Sequence, residues 1–88
     1  MKTKPNLIMT QVEDDYILVP VGDTKVSFNG LVRLNTTGAE IWRALEEELS
    51  EEEIVNRLKT LYTDVDHDTL LKSVRKTIDQ FKDAGLLE

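Results

Sequence analysis

His67 is the single histidine of the chain, and it stands between Asp66 and Asp68. An imidazole between two carboxylates has the donor types of a metal site. A structural or catalytic metal nevertheless needs three or four ligands at workable spacings, and no second group supplies the rest. The chain has no cysteine, which removes thiolate nucleophiles, cysteine-held zinc and iron–sulfur clusters, and disulfides. His67 therefore reads as a solvated residue in the first turn of a helix. Acid–base chemistry is the next candidate, at Glu46-Glu47-Glu48 and Glu51-Glu52-Glu53. A catalytic acid needs burial or close charge pairing to move its pKa. Glutamates crowded around helix ends read instead as an acidic surface, one that can also dock a basic partner protein. No nucleophile elbow, phosphate loop or dinucleotide fingerprint occurs. These residues describe a chain that is not an enzyme and that carries no cofactor.

One stretch has a composition suited to binding. At about 100° per residue, Leu70, Val74, Ile78 and Phe81 form an apolar stripe along a helix. Leu71, Arg75 and Lys82 fall on one shoulder of it, whereas Lys72, Lys76, Asp79 and Asp83 point away. Long basic stems covering the edge of a core produce such a shoulder without any partner. The same shoulder can also be one wall of a groove for an apolar and acidic peptide. Trp42, the sole tryptophan, lies beside Ile41 on another apolar stripe and reads as core.

The elements that position these residues are legible from punctuation and period. Leu7 to Val12 is a short strand ended by Glu13-Asp14-Asp15, and Tyr16 to Val21 is a second, rich in β-branched and aromatic residues. Pro20 suits an edge or a strand end. Two turn signals compete, Gly22-Asp23 and Asn29-Gly30. We read Tyr16–Val21 as pairing with Leu31–Leu34, with 22–29 an irregular excursion or a short extra strand at 25–28. Three helices follow. Thr37 stands three residues before Glu40, and Ser50 three before Glu53, the spacing of capping boxes. Asp66 caps the third helix, Gly85 stops it, and Leu86-Leu87 can fold back on the core. Leu49 with Ile54, and Val65 with Leu70, are the staple pairs. Ile41, Trp42 and Leu45 face the core from the first helix, and Ile54, Val55, Leu58, Leu61 and Tyr62 from the second. Strands followed by helices predict an α+β domain, a small antiparallel sheet with a three-helix bundle on one face.

The chain's 88 residues allow one domain with a modest core. Its net charge of −6 is concentrated in residues 36–65, which hold three basic and eight acidic groups. Such a field repels phosphate backbones. No segment reaches the roughly 20 apolar residues of a membrane helix, and no signal-peptide run follows the basic start. We expect a cytoplasmic protein with no nucleic-acid or membrane partner.

The run Leu31-Val32-Arg33-Leu34-Asn35-Thr36-Thr37-Gly38-Ala39-Glu40-Ile41-Trp42 resembles the signature of the PqqD-like family: an apolar strand ending in Leu-Asn, then Thr-Gly-Ala and an Ile-Trp helix. Ser50 to Val55, Phe81 to Leu87 and the strand at Tyr16–Val19 are also similar. The resemblance runs from about residue 7 to the end. It implies a winged-helix-like fold of three strands and three helices. It also implies a recognition element for ribosomally made, post-translationally modified peptides. In that family a precursor's leader adds as a strand to the third strand, beside the third helix. The domain then presents it to a radical S-adenosylmethionine enzyme or another peptide-modifying enzyme. Leu31, Val32, Arg33 and Leu34 match the receiving strand. Helical geometry adds Leu71, Arg75, Ile78 and Lys82 as the wall beside it. The chain departs from the shortest members by an insertion at Val21–Gly30, and by Glu46-Glu47-Glu48 where many relatives have Asp-Gly. It therefore fits a relative serving another modified peptide as well as the pyrroloquinoline quinone pathway. A receiving strand can also pair with a second copy, so monomer and dimer are both open. The alternative function is a winged-helix DNA-binding regulator, against which the acidic opening of the second helix argues.

Overall fold

The computed structural model describes residues 2–5, 7–20 and 32–88. Within them the chain forms strands β1 (Leu7–Val12), β2 (Asp15–Pro20) and β3 (Val32–Leu34), then helices α1 (Thr36–Glu46), α2 (Glu51–Leu61) and α3 (His67–Asp83). The expected α+β order is the observed one. The sheet is antiparallel throughout with order β1-β2-β3. β2 pairs with β3 through Tyr16–Leu34, Ile17–Arg33 and Leu18–Val32, as the sequence suggested. The competing turns at Gly22-Asp23 and Asn29-Gly30, and the alternative strand at 25–28, lie outside the described residues. Pro20 ends the central strand, two residues beyond the last β3 partner, so its missing N–H costs that pairing nothing.

Register fixes the two faces of the sheet. Leu7, Leu18 and Leu34 are buried toward the helices, while the alternate positions Ile8, Thr10, Ile17 and Arg33 face the other way. The β1–β2 hairpin closes over Glu13-Asp14, with Glu13 at φ 57°. Tight two-residue hairpins require a positive φ at a central position, and Glu13 adopts it here in place of a glycine.

The helix starts are individually capped. At α1 the cap is Asn35, whose Oδ1 accepts from the Gly38 N–H at 2.7 Å, rather than the expected Thr37. The cap thus sits two residues earlier, because the short amide reaches Gly38 while Thr37 turns its hydroxyl to the Tyr62 hydroxyl at 3.1 Å. A Cβ at Gly38 would stand 3.2 Å from Asn35 Oδ1 and 3.6 Å from Leu34 Cβ, so the strand-to-helix corner favours glycine there. Ser50 and Glu53 form the reciprocal capping box, and Asp66 accepts from the Thr69 N–H at 2.8 Å.

Both α1 and α3 close with the same pair of bonds. Glu48 and Leu49 donate back to Leu45 and Ala44, as Gly85 and Leu86 donate back to Lys82 and Phe81. The residue at the left-handed position is Glu48 (φ 58°) in one and Gly85 (φ 77°) in the other. Beyond Gly85, Leu86 is fully buried, and the tail pairs with the other end of the chain through Lys4 N–H to the Leu86 carbonyl and Glu88 N–H to the Lys2 carbonyl.

The core sits between sheet and helices. Trp42 is wholly buried and meets Phe81 edge-on at 5.4 Å between ring centroids. The predicted α3 stripe, Leu70, Val74, Ile78 and Phe81, is the buried one. Leu61 departs from expectation: it shares the angular face of α2, but at the last residue of that helix the stripe outruns its cover and the side chain is 53% exposed. Val65 is likewise only loosely stapled, at 37% exposure.

Candidate functional site

β3 is the last strand of the sheet, and among the described residues its second edge has no strand partner. Such an edge presents main-chain donors and acceptors to whatever strand approaches. Its side chains divide by register. Val32 is half-buried against the core and Leu34 is buried, so neither offers a free side chain. Arg33 is exposed on the outer face, where it pairs with Asp15 at 3.7 Å. What β3 offers a ligand is therefore mostly backbone. Leu31 lies outside the described residues.

The second half of the predicted site lies on α3. An open groove of about 200 Å³ is lined by Glu51, Arg75, Ile78, Asp79 and Lys82. Ile78 forms the apolar floor with its side chain almost wholly in the core. Arg75 and Lys82 stand over it, and Arg75 Nε donates to Glu51 Oε2 at 2.8 Å. Leu71 is half-buried against the core and does not line the groove. Three of the four predicted wall residues therefore meet in one concavity, and none of the β3 residues lines it.

Sequence reasoning missed two lining residues. Asp79 was expected to point away from the shoulder, yet it lines the groove; lying four residues after Arg75 and three before Lys82, it is a surface neighbour of both on the helix. Glu51 carried only a helix-start signal, since its first-turn position explains a carboxylate by itself.

Several other charged groups hold local structure. Arg57 grips Glu47 with both guanidinium ends, and this pairing holds the Glu47 carboxyl below its usual pKa. The Ser50 backbone N–H does the same for Glu53, and Thr69 for Asp66. His67 sits 3.5 Å from Glu52 at the α3 start. Among the described residues no three His, Cys, Asp or Glu side chains gather as metal ligands, and no helix is long and apolar enough to cross a membrane.

Residues 15–87 match the family described as coenzyme PQQ synthesis protein D (PqqD). The chain belongs to the PqqD family. The match opens at the first residue of β2, so it takes in the whole β2–β3–α1–α2–α3 unit that builds the edge and the groove. The first strand enters through structural likeness instead. A solved structure described as TbiB1 in complex with the TbiA(beta) leader peptide is similar to all of this PqqD-family chain and to 95% of its own, with TM-score 0.79 and 26% sequence identity. No curated protein matches the chain. For a PqqD-family chain the Leu34-to-Gly38 corner gains a physical reason: Asn35 caps, Gly38 admits the cap, and Leu34 anchors the end of the edge strand in the core.

Proposed function

We propose that this chain is a non-catalytic recognition element that binds the leader of a ribosomally made precursor peptide and presents it to a peptide-modifying enzyme. The leader adds as a strand along β3, over Leu31, Val32, Arg33 and Leu34. Its side chains reach the wall formed by Leu71, Arg75, Ile78 and Lys82. The modifying enzyme is a radical S-adenosylmethionine enzyme or another class that brings its own metal ligands. The observation that carries this reading is the likeness, over the whole chain, to TbiB1 solved in complex with the TbiA(beta) leader peptide.

The physics favours such a division of labour. An added strand satisfies the free main-chain groups of β3 in any sequence, which supplies affinity without selectivity. Selectivity then comes from side chains meeting the groove, where the Ile78 floor suits an apolar group and Arg75 and Lys82 suit carboxylates. The test is a titration of the ¹⁵N-labelled chain with synthetic leaders encoded near its gene. Amide shifts confined to Val32–Asn35 and α3 are the expected result. No shift with any leader, together with tight and salt-sensitive DNA binding, would overturn the reading.

A further inference from the structure

The contact between Glu51 and Arg75 joins the first residue of α2 to the middle of α3, across 24 positions of sequence and inside the groove. Both partners are substantially exposed, at 64% for Arg75 and 40% for Glu51. Exposed ion pairs of this kind hold weakly, so the contact exchanges readily with another carboxylate. The occupied donor is Nε, which belongs to the side of the guanidinium that can grip a carboxylate with two parallel bonds. As folded, the groove sets two carboxylates, Glu51 and Asp79, against two cations, Arg75 and Lys82, around an apolar floor. Lys82, in contrast to Arg75, makes no ion pair among the described residues.

We propose that Glu51 is a specificity-setting competitor: its carboxylate occupies, in the free protein, the place on Arg75 that an acidic side chain of the bound peptide takes. The proposal rests on the peptide-binding reading of this groove and goes beyond it by naming both the acidic group and the residue it displaces. Capture of an acidic peptide then proceeds by exchange of one carboxylate for another on the same guanidinium. A peptide without that carboxylate leaves the Glu51–Arg75 contact in place. Glu51 therefore lowers the groove's preference for an acidic group at Arg75 and keeps the empty groove electrically balanced.

A merely structural clip between α2 and α3 makes the opposite forecast. Removing a clip loosens the wall and weakens binding, whereas removing a competitor strengthens it. Glu51→Gln keeps the Ser50–Glu53 capping box intact, so the helix start survives. Glu52→Gln is the control, with the same charge change one residue along, next to His67 rather than Arg75.

The experiment is calorimetric titration of the wild-type chain and both variants with synthetic leaders from any short precursor-like reading frames near its gene, using the one that binds the wild type most tightly. A leader whose Asp and Glu are replaced by Asn and Gln is titrated in parallel. Glu51→Gln binds the acidic leader about three- to fivefold more tightly, the range set by loss of one exposed ion pair. Glu52→Gln changes it by less than about twofold, as expected for screened charge at a distance. With the neutralised leader the Glu51→Gln gain disappears. Equal or weaker binding by Glu51→Gln, or an equal gain in Glu52→Gln, overturns the competitor and leaves leader binding standing. Absence of binding to all three proteins overturns both.

Discussion

The helical half and the sheet half treat their backbone differently. All three helices begin under a side-chain cap, from Asn35, Ser50 and Asp66, and α1 and α3 end in matching bond pairs. Among the described residues the sheet is three strands wide, with β1 and β3 as its edges, and its outer face carries Ile8 and Val12 about half exposed. A closed half supplies rigidity and an open half supplies contact. The groove lies within the helical half, between the start of α2 and the flank of the capped helix α3. A domain below about 100 residues has little stability to spare for unsatisfied groups, which makes the capped helix ends count.

The comparison breaks most visibly in the core that joins the halves. Trp42→Ala removes the side chain that meets Phe81 and should cost about 3–5 kcal/mol, most of the stability of a domain this small. Urea denaturation followed by circular dichroism checks it; a loss under about 1 kcal/mol would mean the two halves fold without that contact. Arg75→Glu separates binding from folding. It places a third carboxylate beside Glu51 and Asp79, and leader affinity should fall about tenfold or more through loss of a charge-assisted bond. The melting temperature should stay nearly constant, since the lost pair is exposed. Unchanged affinity by calorimetry would remove α3 from the site.

A smaller effect tests whether the helical half is as settled as it looks. Glu48→Gly relieves a left-handed residue at the α1 stop and should stabilise by about 0.5–1 kcal/mol, the steric gain minus the entropy that glycine loses. Thermal melts decide, and a lower midpoint would show the Glu48–Lys2 pair to matter more than the strain. The slightest effect is on acidification. Glu47, Glu53 and Asp66 all titrate below their usual range when folded, so folding favours their ionised forms. Their contribution is complete above the ordinary carboxylate range, about pH 4, and is lost as pH falls through the lower folded values. Stability measured down a pH series should therefore decline modestly below about pH 4, and the Ser50→Ala variant should decline less.

Local rules were readable and distant ones were not. Ser50 with Glu53, Asp66 before α3, the stripe Leu70–Val74–Ile78–Phe81 and Gly85 as a stop all follow from spacings within a few residues. Asn35 was missed because Thr37 stands at capping-box spacing from Glu40, and only the tertiary partner Tyr62 claims the Thr37 hydroxyl. The Glu13-Asp14 hairpin was missed because it lacks the glycine that announces such loops. Within the candidate site, Arg75, Ile78 and Lys82 follow from helical angle. Glu51 does not, since a contact across 24 residues leaves no periodic trace. The bridge from residues 2–4 to 86–88 is invisible for the same reason.

The edge-on meeting of Trp42 and Phe81 has an optical consequence. The chain holds one indole, it is wholly buried, and its Nε1 has no hydrogen-bond partner among the described residues. An indole buried among apolar side chains emits at shorter wavelength than one in water, so the single tryptophan reports on the core around it. Phe81 immediately precedes Lys82, so any shift of α3 on capture moves the ring that faces the emitter. Unlabelled protein thus carries its own gauge: intensity changes without a red shift would mark a peptide seating against α3, and a red shift would mark the interior coming apart.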